Sequence, residues 1–534
     1  MKRLGRTTWW FGWLVLSSIV VPWTAHAYHL SDDFELRAVY RGENYFRLTD
    51  TDRTFFDAKR KTFVTEPAGV LMSQRNEFRI DFEGRLHTEK LWPWLGRSRV
   101  FVQLRPWYDS AFDWPEDQEP AKHQQQLTPF WRSNVENGEL GQYYDPLFRE
   151  YYIDIAPRHF FFRIGRQIIP WGKSDGVYML DVINPFNLRN PTIFEEENFK
   201  IPVYAANLNW QPTIDSNLQV LYIPQYFPNV WGGINTDHQG RSIESRFHPW
   251  TYNIVGFFND FYNGEFGFTV PVHRNIPEDP IDDAIVGTRW SSVWNRVNYT
   301  INYLYTWTPS LIDFATDGAG HDVSFLSPML RKVVREPRRE HVVGGSADYD
   351  VNMGSEWLDG TVFRIETAFT LGDQYYKGLV GNPVSVDHWG VMAGIDKTIL
   401  GDYLERPVFA SLQYWHDLVF DVQKDCLECG PFAGKFQDLG FEGGSQGLRN
   451  DYKSLLTLYL YKTWLPGDTL ITEFFTLYEL QFQDWWIRPK VTYKINDDTI
   501  VAVGANVFAG GKQTPYGEWK DNTDMFVELR RTLF

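Results

Sequence analysis

Phe78, Ile80 and Phe82 alternate with Arg79, Asp81, Glu83 and Arg85, which gives a strand one apolar and one charged face. The same period of two recurs down the chain with little helical periodicity to compete. Tyr299, Ile301, Tyr303, Tyr305 and Trp307 alternate with Asn298, Thr300, Asn302 and Thr306, and Phe363, Ile365, Phe369 and Leu371 with Arg364 and Glu366. Near the end, Val501, Val503, Ala505 and Val507 alternate with Ala502, Gly504 and Asn506. Segments of about ten residues, the length a tilted strand needs to cross a bilayer, number about eighteen, with sixteen the alternative count. They start near Phe34, Glu77, Arg99, Phe148, Phe160, Val203, Ser216, Ala284, Val297, His341, Thr361, Asp387, Pro407, Leu455, Thr469, Gln483, Asp498 and Asp524. The pattern predicts an all-β chain, an antiparallel transmembrane β-barrel with long extracellular loops.

The N-terminus leads one to expect export of this chain from the cytoplasm. Lys2, Arg3 and Arg6 precede an apolar stretch from Trp9 to Val21, and Ala25-His26-Ala27 puts small residues where a signal peptidase reads. The stretch is too short to span a bilayer, which takes about twenty apolar residues. Residues 1–27 are therefore expected to be a signal peptide and 28–534 a single barrel domain, with no linker or internal repeat to divide it. Beyond residue 27 no apolar run is long enough for a transmembrane helix.

Link lengths test the barrel independently of the strand assignments, because outer-membrane barrels have short turns on the periplasmic side and long loops outside. Short links follow even strands: Pro157 to His159, Pro212 to Asp215, Leu465 to Asp468, and Asn496 to Asp497. Most long ones follow odd strands, among them Gly42 to Asn76, Asp109 to Asp145, Pro170 to Pro202, and Gln225 to Asp283. A tight link near Gln481 is the exception. Stacked soluble sandwiches require no such sidedness. The chain ends in Leu533-Phe534, and a terminal Phe resembles the assembly signal of Gram-negative outer-membrane barrels. Met525, Val527, Leu529 and Leu533 carry its apolar phase, while Arg530 and Thr532 depart from it.

Composition excludes other classes. Lys+Arg of 52 against Asp+Glu of 68 leaves a net charge of −16, which disfavours binding to nucleic acid phosphates. No Walker, H-E-x-x-H or G-x-S-x-G sequence occurs, no cofactor is implied, and no metal site is expected. Cys426 and Cys429 form a C-x-x-C in a long link. One such pair is only half of a structural zinc site, so a local disulfide is expected. Asp348 to Gly354 superficially matches a calcium loop, but the glycine falls one position late and the bidentate Glu is missing, so it is read as a turn.

The most individual stretch is Gly165-Arg166-Gln167-Ile168-Ile169-Pro170-Trp171-Gly172, followed by Asp181-Val182-Ile183-Asn184-Pro185. Over residues 160 to 190 this resembles a family of Gram-negative outer-membrane proteins catalogued as a domain of unknown function. The resemblance implies a porin-like barrel and traffic of hydrophobic compounds through the envelope, with no established chemistry. Physically, Val177 to Ile183 is too apolar for a free surface loop. It is expected to fold into the lumen, where Val177, Tyr178, Met179, Leu180, Val182 and Ile183 could each contribute on the order of 1.5 to 3 kcal/mol by burial. Arg166, Lys173, Asp175 and Asp181 are expected to face water in a constriction. The alternative is that Arg166 and Trp171 only anchor the segment to the wall.

Charges on a lipid face cost about 2 to 4 kcal/mol near the midplane. Arg79, Glu83, Arg364 and Glu366, on the polar faces of their strands, should therefore point into the lumen and help set its field, or else knit the barrel together. The reading is an outer-membrane channel of a Gram-negative bacterium that passes small molecules, hydrophobic ones included, and not an enzyme. Outer-membrane lipid, the assembly machinery and the solute are its partners. The alternatives are a barrel enzyme acting on lipid and a closed scaffold for an envelope transport partner.

Overall fold

A computed structural model describes residues 28–50, 55–57, 62–64, 68–113, 145–188, 190, 192, 195–231, 272–323, 329–355, 358–376, 383–399, 406–420, 452–511, 514 and 516–534. Residues 1–27, Cys426 and Cys429 lie outside the described residues.

Eighteen strands close into one antiparallel barrel. They are β1 (Phe34–Arg47), β2 (Leu71–Leu86), β3 (Arg97–Leu104), β4 (Phe148–Ala156), β5 (Phe160–Gln167), β6 (Val203–Thr213), β7 (Ser216–Ile223), β8 (Ile285–Trp294) and β9 (Val297–Trp307), followed by β10 (Arg339–Val351), β11 (Thr361–Tyr376), β12 (Pro383–Ile399), β13 (Val408–Val419), β14 (Tyr452–Thr463), β15 (Leu470–Glu479), β16 (Asp484–Asn496), β17 (Thr499–Ala509) and β18 (Asp524–Thr532). Each pairs with its neighbours in sequence, and β18 returns to β1 with Val39 opposite Thr532 and Arg47 opposite Asp524. Beyond that register, the Ala38 amide donates to the Phe534 carbonyl at 2.7 Å, so the final residue is stitched into the closing seam. Closure leaves no edge, as a sheet in hydrocarbon requires.

All eighteen expected strands are present, several starting a few residues earlier than their alternation suggests, such as β2 at Leu71 and β14 at Tyr452. The side-chain period is the one the sequence shows. On β11, Phe363 and Ile365 are exposed on the outer face, while Glu366 is fully buried on the inner one. Exposed Ile164, Val286, Ile301, Ile395, Leu412 and Val503 continue the apolar outer surface. In water such a band would be a liability; against hydrocarbon it is the surface an outer-membrane barrel needs. Exposed Trp210, Trp294 and Trp464 stand near one rim, and Tyr222, Tyr452 and Trp485 near the other, as interfacial aromatics do.

Links after even strands never exceed ten residues, whereas six of the nine after odd strands (counting β17 to β18) exceed twenty. Three of the links after even strands have two residues; the one between β8 and β9 is Asn295-Arg296 with φ of 47° and 69°, a left-handed pair whose twist suits a hairpin. Besides the short link after β15, the link from β11 to β12 (377–382) departs from the sidedness, and those two strands run to 16 and 17 residues. Asp348 to Val351 belongs to β10, and the turn after it carries Gly354 at φ 78°, as a turn reading requires.

Candidate functional site

The link from β5 to β6 (168–202) folds into the barrel. Ile169, Trp171, Met179, Leu180 and Ile183 form one buried cluster with inward residues of seven consecutive strands: Val203 and Ala205 on β6, Leu221 and Ile223 on β7, Ile285, Leu304, Val342, Ala368 and Met392 on β8 to β12. Val177 packs further round, against Leu455, Phe475 and Leu477 on β14 and β15. The apolar residues that no surface loop could carry have thus found the inside of the wall.

The wall is shaped to take them. A Cβ on Gly287 of β8 would come 3.0 Å from the Trp171 ring, one on Gly344 of β10 2.6 Å from Leu180, and one on Gly390 of β12 3.0 Å from Met179. These glycines are on inward positions and open the sockets. Sequence reasoning passed over them, although small residues on the inward phase of otherwise bulky strands are a readable signal.

Polar anchors fix the backbone between the sockets. The Glu366 carboxylate accepts the amides of Lys173 at 2.5 Å and Leu180 at 2.9 Å. Arg364 donates to the Lys173 carbonyl, to Asp175 and to Asp396, each at 2.7 Å. Gln413 closes on Asp175 from β13, its side chain receiving the Asp175 amide at 3.0 Å. Trp171 donates its indole N–H to Gln219 at 2.9 Å and its amide to Asp181 at 3.1 Å. Within the segment, Asn184 accepts the Ile169 amide at 2.7 Å and donates to the Ile201 carbonyl at 2.9 Å, tying entry to exit.

The far end of the segment is held by the opposite wall, which sequence reasoning missed. Glu195 lies 3.4 Å from both Arg41 on β1 and Lys490 on β16. Arg105 donates to Asn198, and Arg149 to the Lys200 carbonyl at 2.6 Å. Tyr178, Phe186 and Phe199 pack at tilted and edge-on angles between the two ends with centroids 5.2 to 5.6 Å apart. The segment is therefore attached to the wall from β6 to β15 and, across the lumen, to β1, β16 and the β3–β4 side.

The predicted residues fall into four groups. Lys173 and Asp175 reach solvent inside the barrel, paired with Asp348 and Arg364. Burial, then the neighbouring Arg289 and Arg364, push the Lys173 ammonium below its ordinary pKa. Trp171 and Asp181 do not face water: Trp171 is 1% exposed, and Asp181 is buried against Lys200. Arg166 departs furthest. It shares the outward phase of Ile164, and its cross-strand partners are Tyr151 on β4 and Tyr204 on β6. Its guanidinium lies 5.5 Å from the Tyr204 ring, under a Tyr151–Tyr204 hydroxyl bond of 2.6 Å. The two tyrosines let an arginine occupy the outer phase while only 2% exposed, so Arg166 does not line the lumen.

The remaining charges point inward as expected. Arg79 pairs with Asp81 at 2.9 Å, and Glu83 with Arg99 at 3.5 Å. Arg99 and Arg163 share Asp154, each at 2.7 Å. The inner face of β2 to β5 is thus a ladder of guanidinium and carboxylate groups.

An eighteen-stranded, outer-membrane-type β-barrel whose third long link crosses the lumen is the class that fold and site define. The chain belongs to the family described as a protein of unknown function, DUF1302, whose model matches residues 72–393 and so takes in the whole inward segment. No curated protein sequence matches it. Among solved structures it is similar to OccAB1 of Acinetobacter baumannii, at 9% identity and a TM-score of 0.45 over 96% of this chain and 99% of that one. It is also similar to the outer membrane channel DcaP of the same organism, at 8% identity and a TM-score of 0.37 over 96% and 100%. A third likeness is to OccK8 (OprE) of Pseudomonas aeruginosa, at 9% identity and a TM-score of 0.42 over 94% and 98%.

Proposed function

We propose that this protein is a channel in the outer membrane of a Gram-negative bacterium, through which small molecules, hydrophobic ones included, pass by diffusion. The observation that carries the reading is the inward segment 168–202, seated on glycine sockets at one wall and on Arg41, Arg105, Arg149 and Lys490 at the other. A segment anchored to both walls narrows the lumen at one level, and the charges beside it, Lys173, Asp175, Arg364 and Asp348, set the local field. In this reading the protein is a passage and not an enzyme, and its partners are membrane lipid, the assembly machinery and the solute.

Planar-bilayer recording tests it. The reconstituted barrel should pass single-channel currents, and replacing Asp175 to Asp181 with a short glycine linker should raise the conductance while the barrel still assembles. The attachment of the segment to both walls favours one rival, a closed scaffold. A folded, inserted barrel that passes no current in either form would establish that rival.

A further inference from the structure

The link from β2 to β3 (87–96) is the longest on the short-link rim, and it is wound into two consecutive 3-10 turns, Thr88–Lys90 and Pro93–Leu95. The Trp92 amide donates to the Thr88 carbonyl at 2.8 Å, and the Leu95 amide to the Trp92 carbonyl at 2.9 Å. Pro93 opens the second turn, where a missing N–H leaves no bond unmade. Gly96 returns the chain to β3 at φ 69°, packed against the Ala156 carbonyl where a Cβ has no room.

Two side-chain contacts fix where this link lies. The Thr88 hydroxyl donates to the Gly96 carbonyl at 2.6 Å and lies 2.8 Å from the Ser98 hydroxyl. Ser98 stands opposite Leu86 in the β2–β3 register, on the face of Phe82 and not on the face of Asp81 and Glu83. The link therefore folds over the outward side of the wall, away from the lumen. At its start, His87 Nε2 is 2.9 Å from the Asp33 carboxylate just before β1, so the base is held from two sides.

What the link presents is apolar. Leu91 is 72% exposed, Trp92 54% and Trp94 70%, three large side chains within four residues. Facing water, such a cluster would be a liability. The outward wall beside it is apolar too: Leu86 and Phe34 are exposed, and the Phe34 ring stacks on Phe82 with centroids 5.8 Å apart. The patch thus continues the outer band at its short-link edge. Tryptophan, with an apolar ring and an N–H donor, suits the boundary between hydrocarbon and headgroups.

We propose that residues 87–96 form a membrane foot, and that its partner is phospholipid. Leu91, Trp92 and Trp94 enter the interfacial layer of the leaflet at the short-link rim, while His87, Glu89 and Lys90 stay among the headgroups. The foot holds β1 to β3, next to the closing seam, at a fixed depth. The inference goes beyond the channel reading: it needs the barrel in a bilayer but no current through it.

The test uses the full barrel in phosphatidylethanolamine and phosphatidylglycerol vesicles, with acyl chains either plain or brominated near the headgroup. Subtracting the tryptophan emission of the Trp92→Phe, Trp94→Phe variant from that of the wild type isolates the foot. This difference emission should fall about twofold or more in the brominated vesicles. Equal difference emission in the two vesicles overturns the proposal, and its quenching by aqueous acrylamide would then assign the patch to a periplasmic protein. If the double variant does not yield a heat-modifiable barrel, Leu91→Cys decides, made together with Cys426→Ser and Cys429→Ser and carrying a nitrobenzoxadiazole dye. Lipid spin-labelled near the headgroup should quench that dye about twofold or more, and an unquenched dye overturns the proposal. A conducting barrel with an unquenched foot would sink this inference and leave the channel reading standing. A quenched foot on a barrel that passes no current would do the reverse.

Discussion

The carboxylate of Glu366 on β11 accepts backbone N–H groups from both Lys173 and Leu180, so one wall side chain clamps the inward segment on either side of its bend. Each of those amides, left buried without an acceptor, costs about 1 to 3 kcal/mol. Glu366→Ala should therefore loosen the segment and leave the barrel standing, and Glu366→Gln, which keeps an acceptor oxygen, should loosen it less. Trypsin cleavage after Lys173 in the folded protein checks this: at least tenfold faster cleavage is expected in the alanine variant, and a wild-type rate would rule the clamp out.

The socket at Gly287 makes a second prediction. A Cβ there would crowd both Trp171 and Leu304. Gly287→Val should expel the indole from its seat and raise single-channel conductance, because crowding in a packed site costs about 1 to 3 kcal/mol and the segment can move more easily than the wall. Wild-type conductance in a folded variant would mean that Trp171 is not held by this socket.

The seat of Glu195 should resist acid. Burial alone would raise its carboxyl pKa, but Arg41, Lys490 and Arg488 outweigh that and hold it well below the usual carboxylate range. A carboxyl depressed in the seated state contributes stability above its free value of about 4.3 and loses it only as pH falls through the depressed value. The Glu195 seat itself should stay ionised from pH 7 to about pH 4 in the wild type, so Arg41-dependent changes in conductance should fall below that range. In Arg41→Gln, with one of those cations gone, a change should set in at higher pH than in the wild type. Identical pH profiles would show that Arg41 does not hold Glu195.

At the other end of the chain, the Phe534 carbonyl accepts the Ala38 amide within the closing seam. Deleting Phe534 removes that bond together with the terminal aromatic, and the yield of heat-modifiable, inserted barrel should fall. Undiminished yield would separate the terminal residue from assembly.

Sidedness can be read on intact cells. An epitope near Glu119, in the long link after β3, should be labelled from outside, and one near Asp215, in the turn between β6 and β7, should not. The opposite pattern would invert the topology.

What the sequence reveals here follows from the range of the interactions. Phe363, Ile365 and Glu366 declare their faces through their nearest neighbours, so strand number and phase were legible. So was the inward course of Val177 to Ile183, since its apolar residues have no local surface to cover. Arg166 was not legible, because its burial depends on Tyr151 and Tyr204, brought alongside only by strand pairing. The partners of Glu195 were equally hidden, since Lys490 is 295 residues away in the chain and becomes adjacent only in the closed ring.

That last distance has a consequence for the order of assembly. The glycine sockets belong to β8, β10 and β12, a run of wall that can form before the ring is complete. The seat of Glu195 needs β1 and β16 on the same side of the lumen, and these come together only when β18 meets β1. The inward segment can therefore dock early on the sockets and on Arg105 and Arg149, whereas the bridge from Glu195 to both Arg41 and Lys490 is complete only upon closure. A barrel stalled with its seam open would hold Trp171 and Leu180 in place while Glu195 waits for a seat that does not yet exist.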